Sequence, residues 1–126
     1  MILGVPKETL KNETRVAVIP ATVKQLISAG FDIFVESGAG DLSQISDSEY
    51  TASGAKIFNT ANEIYENSDM ILKVNSPTDN ELSMIKENSS YISFFQTMKE
   101  TTKVKVFKDK NITGFSMHLV PRTTLA

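Results

Sequence analysis

The sequence contains no cysteine. That excludes disulfides, thiolate catalysis and cysteine-ligated metals, and it fits a reducing compartment. Histidine is almost as scarce. His118 is the single one, and with no second histidine or cysteine beside it we expect no metal site. Positive charge is not in excess: 13 Lys and Arg face 15 Asp and Glu, a net charge of −2. This leaves no basic footprint for nucleic acid. No apolar run approaches the ~20 residues of a membrane-spanning helix. The opening Met1-Ile2-Leu3-Gly4-Val5-Pro6-Lys7 lacks the charged start and the cleavage site of a signal peptide. Together these absences predict a chain that lies in the cytosol or faces it.

What is present suits one ordinary soluble domain. The 126 residues are 40% hydrophobic and 22% charged, and a chain of this size buries about two-thirds of its unfolded surface. Short apolar runs rich in Ile, Val and Phe recur at residues 1–5, 31–35, 55–58, 70–74, 91–95 and 112–117. Their length and composition predict buried strands.

The stretches between them carry helix-start signals. Ser46-Asp47-Ser48-Glu49, Thr60-Ala61-Asn62-Glu63, Thr78-Asp79-Asn80-Glu81 and Thr97-Met98-Lys99-Glu100 all have the form of a capping box. In such a box the hydroxyl bonds the amide three residues on, and the glutamate bonds back. Pro20 suits a first helical position. Val23, Leu26 and Ile27 then form an apolar stripe, and Gly30 can close that helix in the left-handed region. Gly54 is placed to do the same one helix later. The densest basic group, Lys103, Lys105, Lys108 and Lys110, reads as the solvated face of a helix and the turn after it.

The alternation predicts an α/β fold of three layers: a mostly parallel, flavodoxin-like sheet with helices on both faces and right-handed crossovers. The whole chain, 1–126, reads as one lobe. The final Pro121-Arg122-Thr123-Thr124-Leu125-Ala126 brings no closing element, so we expect a longer protein in which another helix follows.

Ligands of open α/β sheets sit beyond the carboxyl ends of the strands. A long polar loop, residues 7–19, follows the first strand. At its inner end Arg15 could grip a carboxylate or phosphate bidentately, or pair structurally with Glu8 or Glu13. Lys73 interrupts the strand Ile71-Leu72-Lys73-Val74. Lysine is almost never fully buried without a partner. It therefore either faces the crevice as a functional group or snorkels to solvent from the strand end. Gly38-Ala39-Gly40 reads as a pair of turn glycines, because Ser43 stands where a dinucleotide loop needs its third glycine. His118, at the end of the last strand, reads as a packed or capping side chain.

Taken in order, several stretches resemble the alanine dehydrogenase and transhydrogenase N-terminal domain family. They are Gly4-Val5-Pro6-Lys7-Glu8, Asn12-Glu13-Thr14-Arg15-Val16-Ala17, Val35-Glu36-Ser37-Gly38-Ala39-Gly40, Asp47-Ser48-Glu49-Tyr50, Gly54-Ala55 and Ile71-Leu72-Lys73-Val74-Asn75-Ser76-Pro77. The resemblance covers essentially the whole chain. It implies crevice roles for Arg15 and Lys73, which match the residues that hold the substrate carboxylate and carbonyl in alanine dehydrogenases. Those enzymes also carry a catalytic histidine just after the fifth strand, where this chain has Gln96. Glutamine cannot shuttle the protons that reductive amination requires. Hydride transfer between two nicotinamide rings needs positioned cofactors and no titrating side chain.

Within the family the resemblance is therefore to the α subunit of proton-translocating NAD(P) transhydrogenases. Met117-His118-Leu119-Val120-Pro121-Arg122 is similar to that branch too, and the match implies that Arg122 lies close to bound NAD. The resemblance further implies NADP on a different domain, membrane-domain partners, peripheral attachment to the inner membrane through them, and a homodimer of the complete domain. It implies no catalytic residue in this chain. Because the dinucleotide-binding Rossmann lobe is absent, we expect the 126 residues alone neither to transfer hydride nor to bind NAD tightly. Two other readings stay open: the N-terminal lobe of an alanine dehydrogenase, and a stand-alone flavodoxin-like binding module.

Overall fold

The structure, a computed structural model, describes residues 1–75, 77–95 and 101–116. Gln96, His118, Arg122 and the expected capping box at 97–100 lie outside them. Among the described residues six strands and five α-helices alternate: β1 (Ile2–Val5), α1 (Pro20–Ser28), β2 (Asp32–Glu36), α2 (Asp47–Ala52), β3 (Lys56–Phe58), α3 (Ala61–Asn67), β4 (Met70–Asn75), α4 (Asp79–Met84), β5 (Ser90–Phe95), α5 (Thr101–Asp109) and β6 (Thr113–Ser116). The strands form one sheet in the order β3-β2-β1-β4-β5-β6. Every described pairing is parallel. The expected three-layer α/β fold is therefore present, with two strands on one side of β1 and three on the other.

Side chains alternate across each strand, so the sheet builds two cores. Leu3, Val5, Ile33 and Val35 pack under Val23 of α1 and Tyr50 of α2. Ile71 and Tyr91 pack on the opposite face with Ile64, Tyr65, Leu82 and Phe107 from α3, α4 and α5. Each fully buried aliphatic side chain contributes roughly 1.5–3 kcal/mol. Gly4 lies in the central strand beneath α3. A Cβ there would overlap the Ser68 side chain and reach 2.9 Å from Ile64 Cγ2, so only glycine lets α3 sit this close to the sheet.

The helix ends follow the local code. Ser46 and Thr78 form complete capping boxes with Glu49 and Glu81. Thr60 accepts the Glu63 amide, while the Glu63 carboxylate takes the Thr60 hydroxyl instead of its amide. Gly30, at φ +101°, ends α1 in a Schellman motif: its amide bonds Ile27 O and that of Phe31 bonds Leu26 O. Asn111 ends α5 in the same way, bonding Lys108 O while Ile112 bonds Phe107 O.

One basic residue departs from expectation. Lys105 and Lys108 are exposed, but Lys110 folds back onto the carboxyl end of α4. Its Nζ reaches Leu82 O at 3.0 Å and Ile85 O at 3.1 Å. The unpaired carbonyls there attract a cation. Among the described residues no helix is long and apolar enough to cross a membrane.

Candidate functional site

The winding of the sheet reverses between β1 and β4, which are paired neighbours. The carboxyl ends of these strands flank the crevice where open α/β sheets take their ligands. The loop after β1, residues 6–19, forms one wall, and several side chains pin it. The Lys7 amide donates to Glu36 Oε1 at 2.8 Å. The Ser43 hydroxyl donates to Thr14 O. The buried Tyr50 hydroxyl donates to Val18 O at 2.7 Å. Burial, with the Glu49 and Asp47 charges, pushes the Tyr50 pKa up to about 12, so this donor stays protonated.

A connected polar network lies at the carboxyl ends of β1 and β4. The Arg15 guanidinium holds Glu13 in a two-pronged ion pair, Nε to Oε2 and Nη2 to Oε1, both at 2.8 Å. Hydrogen bonds from Arg15 hold the Glu13 carboxyl down at about 2, and the same pairing raises the Arg15 pKa. The Asn75 side-chain amide donates to Glu13 Oε1 at 2.8 Å and to Glu8 Oε1 at 3.4 Å. Glu8 Oε2 accepts the Val74 amide at 2.8 Å. Glu8 Oε1 also meets Lys73 Nζ at 3.1 Å, and Glu81 Oε2 meets it at 2.9 Å.

Lys73 is 1% exposed, which excludes the snorkelling reading. Strand alternation puts it on the same face as Ile71, toward α3, α4 and α5. A buried ammonium costs several kcal/mol of desolvation unless carboxylates compensate it. Here Glu8 and Glu81, both buried, do so. Beside Glu81 the Tyr65 hydroxyl is buried as well. Burial first, then the charges of Glu81 and Glu8, raise its pKa. It therefore remains an O–H donor beside this acidic cluster.

The structure thus joins Arg15 and Lys73, both singled out from the sequence, through Glu13, Asn75 and Glu8. Between the two partners open to Arg15, the loop selects Glu13. Sequence reasoning missed Glu81 and Asn75. The signal for Glu81 was available: a lysine in a buried strand demands a buried carboxylate, and the first turn of the next helix returns over the strand end. Three carboxylates meet two cations here, so the cluster carries no surplus of positive charge.

These residues do not by themselves fit a dinucleotide. A sheet of this strand order grips pyrophosphate through a glycine-rich turn after the first strand. Here β1 runs into Pro6-Lys7-Glu8, and Glu8 occupies the amides of Val74 and Asn75. Gly38-Ala39-Gly40 follows β2 as the expected turn. Gly38 lies at φ +83° and its amide bonds Asp47. Gly40 is packed so closely that a Cβ would come within 2.8 Å of Ile45 and Tyr50. That turn faces packed side chains and offers no open cradle.

The chain is 42% identical over its full length to the NAD(P) transhydrogenase subunit alpha of Haemophilus influenzae, spanning 24% of that protein. It is 40% identical over 95% of its length to the alanine dehydrogenase of Methanococcus maripaludis, spanning 32% of it. Among solved structures, the transhydrogenase from Sinorhizobium meliloti superposes with a TM-score of 0.90 at 35% identity, over 99% of this chain and 36% of that one. The chain therefore spans about a third or less of these relatives. The family model described as "Alanine dehydrogenase/PNT, N-terminal domain" matches residues 4–126. The chain belongs to the alanine dehydrogenase/transhydrogenase N-terminal domain family.

Proposed function

We propose that this chain is the first lobe of the NAD-binding part of a proton-translocating NAD(P) transhydrogenase α subunit. In the complete enzyme, hydride passes directly between NADH and NADP⁺, and the transfer is coupled to proton movement through a membrane domain. The observation that carries the reading is Gln96, which stands where the family resemblance implies a catalytic histidine in alanine dehydrogenases. A glutamine can position a ring or a carbonyl, but it cannot take and return a proton. The 42% identity to a transhydrogenase α subunit supports the same side.

In this reading the lobe supplies one wall of the crevice. Arg15 stands exposed beside it and Lys73 lies buried beneath it, both already compensated by Glu13, Glu8 and Glu81. Arg122 lies close to NAD. The cradle for the pyrophosphate belongs to a second lobe of the same subunit, and NADP is held by another domain. The complete protein is a homodimer that faces the cytosol, peripheral to the membrane through its partner domains. The 126-residue lobe alone neither transfers hydride nor binds NAD at micromolar affinity. Calorimetry on the lobe tests that statement, and a micromolar dissociation constant contradicts it.

A second reading has its own support. The chain is 40% identical to an alanine dehydrogenase and retains Arg15 and Lys73, so it could be the lobe of such an enzyme. Assaying the complete protein separates the two. NADP⁺ reduction by NADH supports the transhydrogenase. Turnover with pyruvate, ammonium and NADH supports the dehydrogenase and overturns the first reading.

A further inference from the structure

We propose that Glu81 is a positioning residue for Lys73: one carboxylate oxygen caps α4, and the other holds the buried ammonium in one position beneath the crevice. The proposal rests on the reading of that crevice as ligand-facing. It starts from the way the two oxygens are divided. Glu81 Oε1 accepts the Thr78 amide at 2.9 Å, while the Thr78 hydroxyl accepts the Glu81 amide at 3.2 Å. That reciprocal cap fixes the plane of the carboxylate. Oε2 of the same rigid group is then aimed at Lys73 Nζ, 2.9 Å away.

Glu8, the other anion at Nζ, is equally immobile. Its Oε2 is committed to the Val74 amide at 2.8 Å. Lysine has a flexible four-carbon stem and would otherwise sample several rotamers. Held between two anchored carboxylates, it keeps one. The α4 cap and the buried cation therefore share a single side chain, with one carboxylate oxygen for each.

Amine-reactive labelling of the complete protein, followed by peptide mass spectrometry, tests this. In the native protein Lys7 and Lys24, both exposed, label readily and Lys73 stays protected. Glu81→Gln can keep the cap, but it turns an amide towards Nζ or loses the negative charge there. We expect Lys73 to label at least about tenfold faster in it. Thr78→Ala removes half of the cap and keeps the Glu81 charge. Lys73 should then label within about twofold of the native rate.

Equal acceleration in both variants would reduce Glu81 to a helix-stabilising residue and overturn the proposal. Continued protection in Glu81→Gln would overturn it too, because Glu8 alone would then suffice. If Glu81→Gln does not fold, Glu81→Asp pulls the charge back by one methylene. Faster labelling of Lys73 is expected there, and full protection overturns the proposal. No ligand is needed, so the result judges Glu81 whatever the hydride-transfer assays say of the reading above.

Discussion

The Glu8 carboxylate binds the Lys73 ammonium at 3.1 Å and the main-chain amide of the next residue, Val74, at 2.8 Å. One side chain of the β1 loop thus secures both the charge and the backbone at the carboxyl end of β4. Removing the cation strands two buried anions. Lys73→Met should therefore destabilise the fold by about 3 kcal/mol or more, read as a lower urea midpoint. Adding Glu81→Gln to that variant removes one stranded charge and should restore part of the loss. If Lys73→Met is neutral on its own, the cluster is not buried as described.

Acid should loosen the loop through Glu13. Its carboxyl titrates near 4.5 when unfolded and at about 2 in the fold, because Arg15 bonds it. A depressed folded pKa means that the stability is present above the unfolded value and is lost as pH falls from about 4.5 to about 2. Glu13→Gln should flatten that part of the pH profile of the urea midpoint. Arg15 is exposed, so added salt should shrink the difference between native and variant proteins. An unchanged acid limb in Glu13→Gln would contradict the pairing.

Gly4→Ala should be costly although it adds a single methyl group. The new Cβ overlaps Ser68 and crowds Ile64, and overpacking of this kind costs about 1–3 kcal/mol. Denaturant unfolding measures it. A neutral Gly4→Ala would mean that α3 does not sit close against β1.

The capping boxes give a smaller, local effect. Ser46→Ala removes the hydroxyl that accepts the Glu49 amide at 3.2 Å and should cost about 1 kcal/mol. Hydrogen exchange should report faster opening of the first turn of α2, with the central strands unaffected. Uniform acceleration across the sheet would contradict a local role.

Most of the architecture was legible because local rules and global fold agree. Apolar runs marked the strands to within a residue or two. Ser46, Thr78 and Pro20 marked helix starts, and Gly30 and Gly54 marked helix ends. Lys73 stood out because a charge in a two-faced buried strand conflicts with its surroundings. What stayed hidden was long-range. Glu81 had already been accounted for as a capping residue, and that local motif concealed its second partner on the preceding strand. Whether Arg15 would take Glu8 or Glu13 depended on the course of a loop with no periodicity. Lys110 read as a surface charge because the carbonyls that hold it belong to another helix.

The most direct test of the central claim follows an isotope. The complete protein would be given NADH deuterated at the transferred position, together with NADP⁺, pyruvate and ammonium. The account predicts that the deuterium is recovered in NADPH, and none in alanine. Deuterium in alanine would show that the crevice performs reductive amination despite Gln96 and would contradict the account.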